Sequence, residues 1–159
     1  MDSFIPSIFV FGNDDSYEHY EFISLCREAG FDGFKSFAQK IDYPDKRTYI
    51  GKGKVLEIAE YCREYCQNEK IELSNFVVAF NFELTGLQKK NLEDVLNCVV
   101  VDRAFVIFKI FEKNAKTKEA KLQVEIAKLK YLKNQLVNEK ASYAQVTSGK
   151  GHNKGEGEK

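Results

Sequence analysis

The sequence predicts an α/β fold: a mainly parallel sheet flanked by helices, then a long C-terminal helix forming half of a helical hairpin, then a flexible Gly/Lys-rich tail. Three observations predict it. Short apolar runs without polar alternation, as expected of strands buried on both faces, alternate with helix-period segments up to Arg103. From Thr117 to about Val146 the chain carries no Gly or Pro, and Leu122, Ile126, Leu129, Leu132 and Leu136 recur at intervals of three and four. Beyond that, SGKGHNKGEGEK (Ser148 to Lys159) packs four glycines and three lysines into twelve residues. The expected divisions are an α/β subdomain over 1–103, a long-helix subdomain over 104–147 and a loop or tail over 148–159.

Taken in order, SIFVFG (Ser7 to Gly12) reads as a strand ending in a turn. NDDSYEHYEFISLCREAG follows as an amphipathic helix, with Tyr20, Ile23 and Arg27 at helical spacing and Gly30 closing it. FDGFKSFAQKID sets Phe31, Phe34 and Phe37 among polar residues and reads as a strand leading to the turn at Pro44. RTYIGKGK reads as a further extended piece, and KVLEIAEYCREYCQNEK as a helix with Val55, Ile58, Ala59, Cys62, Tyr65 and Cys66 on one face. SNFVVAFN is a buried strand, TGLQKKNLEDVLN a helix capped by Thr85, and CVVVDR another buried strand. AFVIFKIFEKNA opens the helical region as a greasy helix.

At 159 residues and 43% apolar content the chain can build the core of one ordinary domain. Its longest uncharged apolar run, around Val99 to Val101, falls far short of the roughly 20 residues a membrane span needs. MDSFIPSIFVFGNDD opens on an acid and lacks a basic secretory leader, so the expected compartment is the cytoplasm. The net charge of zero hides an asymmetry. From Lys113 onward eleven lysines face five glutamates, a net of +6, which leaves 13 basic against 19 acidic residues, a net of −6, before it. Such a split suits a C-terminal part that meets a polyanion, or else a solvated lysine-rich helix.

Catalytic and metal chemistry find little support. Cys26, Cys62, Cys66 and Cys98 lack Cys-x-x-Cys pairing and read as reduced thiols; no metal site is expected, although Cys62 and Cys66 share a helical face. His19 and His152 lie in polar loops, and no Ser/His/Asp or Cys/His set assembles, so no catalytic residue is assigned. Asp102 and Arg103 at a strand end read as a helix cap or ion-pair partners before they read as catalysts. In YIGKGK, Gly51, Lys52, Gly53 and Lys54 stand just ahead of a helix, where amides and lysines could receive a phosphate; a plain glycine turn fits the same residues. The Gly-Lys pairs at 51, 53 and 149 precede Gly, Val and Gly, so none completes the Gly-x-x-x-x-Gly-Lys-Ser/Thr loop, and NKGE at 153–156 is not the guanine-specifying Asn-Lys-x-Asp. No GTP hydrolysis by this chain alone is expected.

Three segments together resemble the N-terminal region of the HflX family of ribosome-associated GTPases. YIGKGKVLEIAE is similar to the family's Gly-x-Gly-Lys stretch, and ELTGLQKKNLE to its Leu-Ser-x-x-Gln-x-Arg-Asn-Leu-Glu. VVDRAFVIFKIFEKNAKTKEAKLQVEIAKLKYL is similar to its Val-x-Asp-Arg-Thr and Gly-Lys-Leu-Gln-Val-Glu-Leu-Ala run. Gly51, Gly53, Lys54, Gln88, Asn91, Asp102, Arg103, Thr117, Lys121, Gln123 and Glu125 stand at signature positions. Ala104 and Ala120 depart from the family's Thr and Gly, and in the tail Lys154 and Glu156 replace Arg and Pro.

The resemblance implies an α/β subdomain, two long antiparallel helices whose first is the leucine-striped one, and then a GTP-binding domain that uses GTP and Mg²⁺. No such domain lies within these residues, and the family's second helix would begin where the tail ends. It also implies binding to the large ribosomal subunit and its rRNA, near the peptidyl-transferase centre. The residues placed to contact RNA are Lys121, Lys128, Gly149, Lys150, Gly151, Lys154 and Gly155. Two other functions are kept beside this one: an ATP- or GTP-binding α/β module using Gly51 to Lys54, and a stand-alone homodimeric module paired through the stripe from Leu122 to Leu136.

Overall fold

The computed structural model describes residues 5–133 and 135–136; the expected tail over 148–159 and the helix beyond 136 lie outside the described residues. Four strands, β1 (Ile5–Phe11), β2 (Phe31–Ala38), β3 (Val77–Phe80) and β4 (Val99–Val101), form one parallel sheet in the order β2-β1-β3-β4. Helices α1 (Ser16–Glu28), α2 (Lys52–Glu69), α3 (Gly86–Leu96) and α4 (Arg103–Asn114) connect or follow the strands, and a fifth, α5, runs from 118 to at least 133.

Both sheet faces are covered, which is why the strands carry continuous apolar runs. On one face Ile8, Val10, Val78, Phe80 and Val100 pack against Val55, Ile58, Cys62 and Cys66 of α2 and Leu92 and Leu96 of α3. On the other, Phe9, Phe11, Val77, Ala79 and Val101 pack against Phe22 and Cys26 of α1 and Val106 and Ile110 of α4. All four cysteines are free and buried, and no group among the described residues could hold a metal ion. The Cys62 thiol is pushed up by its hydrogen bond with Cys98 and by burial, so it stays protonated and unreactive.

The helix starts follow capping chemistry. Asp15 caps α1 by accepting from the Tyr17 and Glu18 amides, and Thr85 with Gln88 forms a reciprocal capping box on α3. Helices α2 and α3 end on Lys70 and Asn97 in the left-handed region, at φ 56° for each.

Two elements differ from the sequence expectation. The period of three in Phe31, Phe34 and Phe37 does not fit one strand face, and the structure resolves it with a bulge. Ser7 pairs with Gly33 and Ile8 with Lys35, so Phe34 is the extra residue. Phe31 and Phe37 therefore enter opposite cores, while Phe34 stays half exposed against Tyr65, with ring centroids 4.4 Å apart. The expected extended piece RTYIGKGK is instead a turn and a helix start. The Asp45 carboxylate accepts from the Arg47 and Thr48 amides at 2.7 and 3.2 Å, which folds 45–49 into a turn. Lys52 already begins α2.

No helix among the described residues is long and apolar enough to cross a membrane.

A Cβ on Gly33 would fall 2.1 Å from ring atoms of Phe9, itself buried against Phe11 and Phe22. Gly33→Ala is expected to cost about 2 kcal/mol in urea unfolding. Gly53→Ala, where a Cβ meets nothing within 4 Å, is expected to leave stability unchanged or slightly raised.

Candidate functional site at the C-terminal rim of the sheet

In a parallel sheet every strand delivers its C-terminal end to one rim. Here β1 connects through α1 to β2, while its neighbour β3 connects through α3 to β4 on the opposite side. The rim between β1 and β3 is therefore the switch point at which open α/β sheets place ligand crevices.

Arg103, the first residue of α4, spans that point. Its Nη1 donates to Asn81 Oδ1 at 2.8 Å and its Nη2 to Glu21 Oε1 at 2.9 Å. Glu18, Glu21, Asn81 and Arg103 line a crevice of about 310 Å³. His19 closes one side: its ring stacks on Phe11 with centroids 3.7 Å apart, and Nε2 lies 2.8 Å from the Asn13 carbonyl oxygen. The Asn13 side-chain amide donates to Glu18.

Farther along the rim, Gly51 is the N-cap of α2, and its own amide donates to Gln39 Oε1 at 2.8 Å. No side chain caps the amides that follow. Lys52 is exposed, Gly53 leaves open space, and Lys54 Nζ lies 3.0 Å from Glu57. The turn leading into this segment is moored to α3. Gln88 Nε2 donates to the Asp45 carbonyl at 2.7 Å, and Asn91 Nδ2 donates to the Arg47 carbonyl at 2.9 Å. Tyr49, at φ 67°, stacks on Phe82 with centroids 3.8 Å apart.

Asp102 ties the rim to the helices. It is 1% exposed, and its carboxylate accepts three hydrogen bonds. Oδ1 takes the Phe105 amide at 2.9 Å, capping α4, and the Tyr131 hydroxyl of α5 at 3.1 Å. Oδ2 takes the Leu84 amide at 3.1 Å, and Gln135 Nε2 of α5 donates to the Leu84 carbonyl at 3.0 Å.

Since the Thr117 hydroxyl caps α5 beside the end of α4, and Tyr131 reaches the start of α4, the two helices run antiparallel. Phe108 and Phe111 of α4 and Gln123, Val124 and Ala127 of α5 line the groove between them. The leucine stripe points the other way. At 100° per residue, Leu122, Ile126, Leu129, Leu132 and Leu136 lie opposite Ala120, Val124, Tyr131 and Gln135, and all five are exposed. Lys121 and Lys128 are exposed as well, whereas Gly149, Lys150, Gly151, Lys154 and Gly155 lie outside the described residues.

The structure thus brings Gln88, Asn91, Asp102 and Arg103 to one rim, near Gly51 to Lys54, and leaves Lys121 and Lys128 on a separate helix face. Sequence reasoning did not single out Glu21, Gln39, Asn81, Tyr131 or Gln135. Only the last two carried a signal, the helical spacing of Ala120, Val124, Tyr131 and Gln135.

This architecture defines a parallel α/β module with an antiparallel helical extension, of the kind found at the N-terminus of GTP-binding GTPases. The GTP-binding GTPase N-terminal family matches residues 16–112, and the GTP-binding GTPase Middle Region matches residues 114–159. The chain is 42% identical over 117 residues to the GTPase HflX of Caldanaerobacter subterraneus subsp. tengcongensis, covering 74% of this chain and 26% of that protein. Against the GTPase HflX of Escherichia coli it is 35% identical over 123 residues, covering 77% and 27%. It therefore spans about a quarter of the length of these curated relatives. A GTP-binding protein from the archaeon Sulfolobus solfataricus, solved in complex with GDP, shares the fold with a TM-score of 0.62 at 22% identity, over 91% of this chain and 42% of that one. The chain belongs to the HflX family of GTPases and corresponds to its N-terminal region.

Asp102→Ala strands the Leu84 and Phe105 amides and the Tyr131 hydroxyl, and is expected to cost about 3 kcal/mol in urea unfolding. The Tyr131 phenol is held above its ordinary 10.0 by burial and then by the Asp102 charge, and burial pushes the Cys26 thiol up to about 12 despite the lowering pull of Arg103. For both groups the folded state keeps a proton that the unfolded chain releases first. Their contribution is complete below the unfolded values and is lost as pH rises through the folded ones. The urea midpoint is expected to fall above about pH 9, and Tyr131→Phe is expected to shrink the part of that fall above about pH 10.

Proposed function

We propose that this chain serves as the large-subunit-binding N-terminal region of an HflX-like GTPase acting in the cytoplasm. GTP and Mg²⁺ would be handled by the family's GTP-binding domain. One observation carries the reading: between Lys113 and Lys133 seven lysines face two glutamates, and every one of these residues is exposed. A net +5 surface along one helix attracts a polyanion, and family membership supports rRNA as that polyanion. Lys121 and Lys128 are point charges suited to phosphate.

Co-sedimentation with purified large subunits over a salt series tests it. Binding is expected to fall steeply as salt rises, and Lys121→Glu with Lys128→Glu to lower the log–log salt slope by about 2. Absence of binding at low salt would contradict the reading.

A second reading, ATP or GTP held by the α/β layer, is favoured by the uncapped amides at the start of α2 beside Lys52 and Lys54. In a nucleotide titration Lys54→Ala is expected to weaken binding about tenfold, roughly 1.4 kcal/mol. Equal affinity in both proteins removes these residues from the site.

A further inference from the structure

We propose that two copies of this chain associate through the outward face of α5 as an antiparallel pair whose two-fold axis passes at Leu129. The inference stands apart from ribosome binding and rests on the spacing and exposure of the stripe. From Leu122 to Leu136 the intervals are four, three, three and four, so the stripe reads the same in both directions about Leu129. Two antiparallel copies therefore set Leu129 against Leu129, Ile126 level with Leu132 and Leu122 level with Leu136, with no apolar residue left unmatched. A two-fold interface requires this self-complementarity.

Charge selects the same direction. The antiparallel register brings Glu125 level with Lys133 of the other copy, twice over, and both side chains are exposed at the margin of the stripe. A parallel register would set Glu125 against Glu125 and Lys133 against Lys133.

The area is adequate for a weak dimer. The five residues are 46 to 62% exposed. At roughly 100 Å² apiece they bury on the order of 1,000 Å² over two copies, the lower bound for a specific interface. Pairing leaves the inner face undisturbed, since Tyr131 and Gln135 continue to reach Asp102 and Leu84.

Sedimentation velocity on the 159-residue chain, from about 1 μM to about 500 μM, tests the proposal. The wild type is expected to pass from monomer to dimer within that range. Leu129→Lys is expected to stay monomeric with an unchanged circular dichroism spectrum. Glu125→Lys alone and Lys133→Glu alone should each weaken the dimer about tenfold, and the two together should restore it. A wild type that is monomeric throughout overturns the proposal. So does a double variant that fails to recover, or Leu129→Lys unfolding the chain, which would mean that the stripe is covered from within the molecule.

Discussion

The carboxylate of Asp102 is the constraint on which the remaining architecture depends. It sits at the end of β4, almost wholly buried, where an unpaired charge could not be tolerated. Its three donors come from three different places: the loop after β3, the first turn of α4, and α5 twenty-nine residues farther along the chain. Satisfying that one group fixes the exit angle of α4, the path of the chain into α3 and the position of the second helix of the hairpin. Arg103, the next residue, extends the arrangement by joining Asn81 at the end of β3 to Glu21 on α1.

The same logic organises the rim. Gln88 and Asn91 use side-chain amides to hold the backbone of the turn that leads into Gly51, and Gln39 holds the Gly51 amide itself. The family's signature positions on α3 and at the start of α4 thus act on loop backbone, and the loop between β2 and α2 is the part they shape. That loop ends in the exposed, uncapped amides of α2. The basic surface of α5 lies on a different element, tied to the rim through Asp102 and Leu84.

Much of this was legible in the sequence because the signals are local. The continuous apolar runs at Val77–Phe80 and Val99–Val101 announce parallel strands, and Thr85 and Asp102 each cap a helix as their sequence context implies. The illegible parts are long-range or compositionally quiet. Lys52 and Gly53 carry no apolar period, so the first turn of α2 read as extended chain. Phe34 belongs to a bulge that only the register with β1 reveals. The outer stripe of α5 is all Leu and Ile and dominates any periodicity count, while the face that docks on α4 is built from Ala, Val, Tyr and Gln. Tyr131 reaches Asp102 across twenty-nine residues, and no spacing rule anticipates that contact.

Native-state hydrogen exchange at the Leu84 amide addresses the role of Asp102 most directly. Leu84 sits in a loop, yet its N–H is donated to a buried carboxylate that joins strand, loop and helices. If Asp102 holds these elements as one unit, Leu84 and Phe105 exchange only through the global opening that also exposes Val78 and Val10 in the sheet, with matching free energies. If Leu84 exchanges orders of magnitude faster than the strands, as an ordinary surface loop does, the junction at Asp102 is not what holds the structure together.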